Sequence, residues 1–428
     1  MKIKVERRQD KINPFGGINF AINAIKTSCI VELIEDELGK RPAQAKYSYS
    51  DIFIELWSLF FCGGDCAEDL NEHLHGHFSK IPEMKTANAD TVLRVLKKLK
   101  TEKEQVISST GNTYDINRHD KLNHLNISIL LRLGLLSPGK KHDFDYDNEV
   151  LPTEKLDTKK SYQMQFGYFP GMATINGMPV YFENRDGNMN VKTGQAELLE
   201  RGYKMLKDNG VEINRSRMDA GSYSRDIVET ADKYSDLIYI RANKCESLTE
   251  ELRDVETWEK VEINFIKYEV CSIDYQPFSY EKGETPKTYR LVVMREEIGE
   301  KQLNVFTGDS MKYRSILTTD YCSSSKEVIE YYNARGAEER TIDAMNNDFG
   351  WNRMPFSFME ENTVFLIVMM ICKNIFTWLI GMFAEKLTFL KNNFRLKKFI
   401  FRFIIVPAKW VRRTLVVYST KPYELLAT

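Results

Sequence analysis

Cysteine is scarce in this chain: seven among 428 residues, an odd number at irregular spacing. That argues against a disulfide framework and for a reducing compartment, so a cytoplasmic location is expected. Charge of one sign is also missing. Sixty Lys and Arg balance 61 Asp and Glu, a net of −1, so no global basic excess argues for nucleic acid, although local excess still can. The opening "MKIKVERRQDKINPFGG" has no apolar core of the kind a leader needs, and no secretory signal is expected. Internal repeats and low-complexity tracts are absent as well.

What is present is enough apolar residue, 43%, and enough aromatic, 12%, for two or three domains around at least one large core. One run, "VFLIVMMICKNIFTWLIGMFA" (Val364 to Ala384), has the ~20 residues that a membrane span needs. Lys373 and Asn374 sit at its centre, where each is costly in lipid. A helix buried on all sides of a large core is the better reading, and no membrane partner is expected.

The first ~135 residues read mostly as helix, with apolar residues at helical spacing in "YSDIFIELWSLFFC", "ADTVLRVLKKLKTEK" and "NISILLRLGLL". The pattern changes at Lys141. "HDFDYDNEV" alternates, with Asp143, Asp145 and Asp147 on one face and Phe144 and Tyr146 on the other. Asn176-Gly177 lies between two strand-like runs and signals a tight hairpin. Helix, strand, helix and strand follow, so the class is α/β, a mixed sheet with helices packed on it. "KVEINFIKYEVCSID", "TYRLVVMREE" and "KQLNVFTG" read as an antiparallel insertion, after which helices return.

Three acidic positions on three different elements stand out. One is the aspartate stripe, costly in mid-sheet unless cations or donors compensate it. The second is Asp219 in "RSRMDAGSYS", at a strand end followed by small residues. The third is Glu339 in "YYNARGAEERTIDAMNND". On one continuous α-helix, Tyr332, Arg335 and Glu339 stand at i, i+3 and i+7 on a single stripe, and Glu338 points about 100° away. Carboxylates from two strands and a helix can converge on a hard divalent cation; surface acids are the alternative. "HLHGH" with Cys62 and Cys66 matches no common zinc spacing. "RDGNMN" has turn composition and is no phosphate-binding loop.

Together these motifs carry a resemblance. Tyr332, Arg335 and Glu339 satisfy Y-x2-R-x3-E, which looks like the helical signature of DDE insertion-sequence transposases. "HDFDYDNEV" and "RMDAGSY" are similar to the strands bearing that family's two catalytic aspartates, and "GYFPGMATINGMPVYFENRDGNMN" to the hairpin region after the first. The resemblance spans about residues 10 to 385. It implies an RNase H-like mixed sheet flanked by helices, with an antiparallel β insertion and mostly helical N- and C-terminal regions. Expected divisions are a DNA-binding region at 1–135, the core at 136–244 and 313–385, the insertion at 245–312, and a basic segment at 386–428. Asp145, Asp219 and Glu339 would hold two Mg²⁺ or Mn²⁺ ions. Asp143 competes for the first place. Asp145 is preferred because the family has an aspartate two residues before Thr or Ser, and Asp147 stands in that hydroxyl place. A family lysine seven residues after the glutamate is Asn346 here.

The resemblance implies a bacterial enzyme acting, as a homodimer, on double-stranded DNA. It would bind terminal inverted repeats, cut, and join 3′ ends to a target. An inactive DNA-binding derivative and a nuclease without strand transfer are the alternatives. Tyr332 and Arg335 are expected to touch DNA near the cut, Arg335 by a fork suited to phosphate. From Lys386 onward ten Lys or Arg face one Glu. Arg395, Lys397, Lys398, Arg412 and Arg413 are interleaved there with aromatics, which suits backbone contacts with stacking. A solvated basic helix face is the equal alternative. "ADTVLRVLKKLK" is a candidate recognition helix.

Overall fold

In the computed structural model the described residues are 12–82, 84–243, 248, 251–252, 255–297, 311–411, 414–418 and 423, without the side chains of 337–339. The helices used below are α1 (Ile18–Thr27), α2 (Ile30–Leu38), α3 (Tyr49–Phe61), α4 (Ala89–Lys97), α5 (Asp120–Arg132), α6 (Gln195–Asp208), α7 (Arg225–Tyr234), α8 (Ser325–Asn333), α9 (Ala337–Asp348) and α10 (Met359–Lys386). The first strands are β1 (Glu104–Ile107), β2 (Thr113–Arg118), β3 (Lys141–Asn148), β4 (Leu151–Pro152), β5 (Lys159–Lys160), β6 (Phe166–Tyr168), β7 (Gly171–Ile175) and β8 (Met178–Arg185). They are followed by β9 (Glu212–Met218), β10 (Ser235–Arg241), β11 (Glu259–Ile263), β12 (Ile266–Tyr275), β13 (Tyr289–Glu297), β14 (Met311–Thr318), β15 (Ala408–Val411) and β16 (Thr414–Val417).

Among the described residues eleven strands form one sheet in the order β1-β2-β8-β7-β3-β9-β10-β14-β13-β12-β11. At its centre β3, β7 and β8 are antiparallel, while β9 runs parallel to β3 and β10 parallel to β9. In chain order that is 3-2-1-4-5, the RNase H-like arrangement. The β7–β8 connection is the expected two-residue turn: Asn176 and Gly177 both have positive φ, 52° and 73°, and Ile175 faces Met178.

Alternation along β3 decides what each face of the sheet holds. Phe144 and Tyr146 join the core beneath α6 and α7, with Leu198, Tyr203, Ile227 and Val228. The aspartates face the other side, where α8 packs Val328, Ile329 and Tyr332 against β10, β12, β13 and β14.

The ends of the sheet add detail to the expected fold. The mostly helical N-terminal region also holds one hairpin, β1–β2, and β2 extends the sheet along β8. The insertion is antiparallel, as expected, and continues the core sheet. β14 pairs with β10, so β11 to β14 prolong the core sheet, and Leu291, Val292 and Val293 are fully buried there. The expected strand "KQLNVFTG" lies outside the described residues.

The long apolar run forms α10, a helix long enough to cross a membrane but mostly buried inside the protein. Its neighbours are the N-terminal helices α3, α4 and α5. Its two central polar residues are absorbed by the β7–β8 hairpin and by α5. Asn374 donates to Asn126 Oδ1 (2.9 Å) and Pro179 O (2.8 Å), and the Lys373 ammonium donates to Gly177 O. Burial lowers the Lys373 pKa to about 7.

The C-terminal segment is not a long amphipathic helix. A short helix, Leu396–Phe399, runs into a π turn, Ile400–Ile404, and then the β15–β16 hairpin. Phe399 and Phe403 stack inward with Phe383 and Tyr423, so these aromatics serve the core rather than a nucleic-acid surface.

Candidate active site

The parallel pairing of β3 and β9 sets two period-two patterns side by side: Asp143, Asp145, Asp147 against Arg215, Arg217, Asp219. Asp143 faces Arg215 and Asp145 faces Arg217 in register. Arg215 Nε is 2.9 Å from Asp143 Oδ1, and its Nη2 also binds the same carboxylate. Arg217 Nε and Nη2 bind Asp145 Oδ1 and Oδ2 at 2.6 and 2.8 Å. Tyr331 of α8 covers both guanidiniums, with its ring centroid 3.9 Å from Arg215 Cζ and 4.6 Å from Arg217 Cζ.

The next step of this ladder has no arginine in it. Tyr146 pairs with Met218, and one residue further along each strand come Asp147 and Asp219. Both line a cleft of about 510 Å³, with Tyr114, Asn148, Tyr162, Phe169, Gly221 and the loop Asn188–Val191. It opens beyond the C-terminal ends of the two parallel strands, where functional sites of such sheets gather.

The electrostatics agree with this placement. Burial raises the Asp147 carboxyl from its usual 3.8 to about 6, Arg335 pulls it down, and the like charge of Asp219 pushes it up again. Asp219 caps a short 3₁₀ turn, Ala220–Ser222, and its Oδ1 accepts from Gly221 N at 2.9 Å. Two hard oxygen donors facing one cleft, one of them raised by burial and by the like charge of the other, are what a divalent cation would relieve, so the residues fit Mg²⁺ or Mn²⁺.

Asp145, the first carboxylate expected from the motif, is therefore not beside Asp219. It is buried and both its oxygens are spent on Arg217, while Asp143 is spent on Arg215. A hydroxyl-based alignment of "DYD" hid this. The signal that could have revealed it was in the second strand: "RSRMD" supplies a cation opposite the first two aspartates and a carboxylate opposite the third.

The signature helix is not one continuous α-helix. α8 ends at Asn333, Ala334–Gly336 is a 3₁₀ turn, and α9 begins at Ala337. The i, i+3, i+7 stripe is thus interrupted between Arg335 and Glu339. Tyr332 is buried and its hydroxyl donates to Met218 O at 3.2 Å. Arg335 Nη2 reaches Asp147 Oδ2 at 2.7 Å and Tyr146 O at 3.2 Å. Within the chain these two residues, expected to touch DNA, clamp the ends of β9 and β3. Glu339 lies in the first turn of α9; its side chain falls outside the described residues, as Glu338's does. Asn346 lies further along the same helix.

Arg185, which sequence reasoning passed over, holds the cleft loop. Its guanidinium is buried without a carboxylate and donates to the carbonyls of Asn190 (3.2 Å), Val191 (3.3 Å) and Thr193, with Nε on Met189 sulfur. The sequence "RDGNMN" read as a turn; the arginine that opens it is what fixes the turn's shape.

The other basic candidates divide. Arg395 is taken by Asp343 (2.6 Å) and Asp348 (2.8 Å) of α9, so it braces that helix. Lys397 and Lys398 are exposed, and Arg412 and Arg413 lie outside the described residues. In α4, Ala89, Val92, Val95 and Leu96 are buried, and Lys97 binds Glu361 of α10 at 2.8 Å. Arg94 remains exposed on that helix. Among the described residues, three ligand atoms also cluster at Asp65, Cys66 and Asp69; the histidines of "HLHGH" are not part of that group.

The RNase H-like sheet with paired carboxylates at the ends of its first and fourth strands defines a protein of the DDE class. The chain belongs to the transposase DDE domain group 1 family, whose model matches residues 30–418. Among solved structures, piggyBac transposase in a synaptic complex with hairpin DNA is a distant match. Its TM-score is 0.41 and its identity 11%, over 92% of this chain and 79% of that one. No curated protein matches the chain.

Proposed function

We propose that this transposase binds the terminal inverted repeats of its own element, cuts the DNA there and joins the freed 3′ ends to a target, working as a homodimer. The observation that carries the reading is the β3–β9 ladder, which pairs two aspartates with arginines of β9 and brings Asp147, held by Arg335 of the signature segment, and Asp219 to one cleft. Asp147, Asp219 and Glu339 are the proposed metal-holding carboxylates. A divalent ion bound there would supply Lewis-acid stabilisation of the phosphoryl oxygens and a lowered pKa for an attacking water or 3′-hydroxyl. The chain's own part is orientation. Arg335 holds Asp147 at the strand end, Tyr332 ties the end of β9 to α8, and Arg185 keeps the Asn188–Val191 loop in place beside the scissile phosphate. Lys397, Lys398 and Arg94, all exposed, are proposed phosphate contacts away from the cut. The test is cleavage and strand transfer on DNA carrying the repeats that flank the gene, with Mg²⁺ or Mn²⁺. Metal-dependent nicks at the repeat ends followed by joined products support the reading. Nicks without joining reduce it to a nuclease, and binding without nicks to an inactive derivative.

A further inference from the structure

Between β3 and β7 the chain builds a small three-stranded sheet, β4-β6-β5, whose β5–β6 hairpin stands at the cleft. Five consecutive residues at its end, Tyr162 to Phe166, are exposed, with Tyr162 at 72%, Met164 at 70% and Phe166 at 53%. Apolar side chains clustered on a turn tip and left mostly exposed mark an interaction surface. The tip is well fixed. Ser161 N donates to Gln165 O (2.8 Å), Met164 N donates to Ser161 O (3.0 Å), and Met164 takes a left-handed φ of 64°. At the hairpin's base, a Cβ on Gly187 would lie 2.6 Å from Lys159 O and nearer still to Gly167 O, so only glycine lets the backbone after β8 sit that close to the two arms. Phe169 N donates to Arg185 O at 2.9 Å, which ties the hairpin to the arginine that sets the cleft loop. Tyr162 lines the same cleft as Asp147 and Asp219, its ring edge-on to Phe169 at 5.7 Å. Lys159 and Lys160 are exposed on the β5 arm.

We infer that this hairpin is a base-stacking wedge. Tyr162 and Met164 pack on bases unpaired next to the scissile phosphate, and Lys159 and Lys160 meet the backbone beside them. The occupant is a locally opened DNA duplex. A π face and a thioether suit any base, the lysines match the phosphates, and the cleft puts the contact beside the cut. The inference rests on the proposed function, since it takes the cleft to be where DNA is cut.

The test compares the full chain with the Tyr162→Ser/Met164→Ser double variant. The probes are two duplexes of the same repeat sequence, one fully paired and one forked by mismatches at the cut, with 2-aminopurine at the fork. Binding is read in Ca²⁺ and cleavage in Mg²⁺. The wild type is expected to bind the forked DNA about fivefold or more tightly than the paired one, the order that a single stack gives, and to quench the 2-aminopurine. The variant should keep its thermal midpoint, lose the preference and the quench, and cut paired DNA much more slowly than forked DNA. A wild type without preference, or a variant that retains it, overturns the wedge. A variant that changes self-association but not fork preference also overturns it and assigns the tip to a second copy of the chain. Fork preference with no cleavage by the wild type counts against the catalytic reading and leaves the wedge standing. Binding to neither duplex removes both.

Discussion

Arg217 takes both carboxylate oxygens of Asp145, at 2.6 and 2.8 Å, in the middle of the sheet. A buried pair of this kind is a structural element, and breaking one side leaves an uncompensated charge that costs about 3–5 kcal/mol. Asp145→Ala is therefore expected to lower stability by that order. An Asp145→Leu/Arg217→Met double variant should recover much of the loss, because apolar residues can replace both partners. Denaturant unfolding of the three proteins checks this, and the refolded double variant should still cut DNA.

How much of this was legible in the sequence depends on the range of the interaction. The Asn176-Gly177 turn and the burial of Val364–Ala384 were readable because a turn's φ demands and an apolar run are local. Which aspartate of the stripe faces the cleft was not, because three aspartates at period two look alike until the register with "RSRMD" is known. That register is set by a strand about seventy residues away. The break in the signature helix was hidden for another reason: no local signal marks the single 3₁₀ turn at Ala334–Gly336 that parts α8 from α9. The C-terminal aromatics read as a stacking surface because sequence could not show that Phe383 and Tyr423 wait on their buried side.

Arg185 positions the loop without touching the reacting atoms. Arg185→Lys keeps the charge but loses the fork that reaches three carbonyls at once. The expected result is a fall of about a hundredfold in cleavage rate, the cost of a small misplacement at a site. DNA affinity should change little, and the loop should become sensitive to limited proteolysis. Unchanged rate and unchanged proteolysis would remove the role.

Glu55 gives a pH dependence that is independent of catalysis. Burial raises its carboxyl from 4.5 to about 8, against the pull of the Ala87 N–H, which lies 2.9 Å from each oxygen. The folded chain thus keeps a proton that the unfolded chain releases above about 4.5. The stability this confers is full at pH 4 and is lost as pH rises through 8. Glu55→Gln, neutral throughout, is expected to flatten that slope and to melt higher than wild type at pH 8. Parallel melting curves for the two proteins from pH 5 to 8 would contradict the assignment.

The two glutamates at the start of α9 should separate sharply. Removing a metal ligand forfeits several kcal/mol of transition-state stabilisation, so Glu339→Ala should reduce cleavage about a thousandfold or more. Glu338→Ala should stay within about threefold of wild type on the same scale. Both should bind repeat DNA normally, as a mobility-shift titration would report. Equal losses in the two variants would mean that the helix start presents its carboxylates differently.

The most direct test of the central claim is one cleavage assay on repeat-end DNA in Mn²⁺, comparing Asp147→Asn, Asp219→Asn and the stabilised Asp145→Leu/Arg217→Met protein at equal folded concentration. The account predicts no detectable cleavage from the first two and cleavage from the third. Cleavage by Asp147→Asn, together with its loss in the double variant, would contradict it and return the first metal-binding place to Asp145.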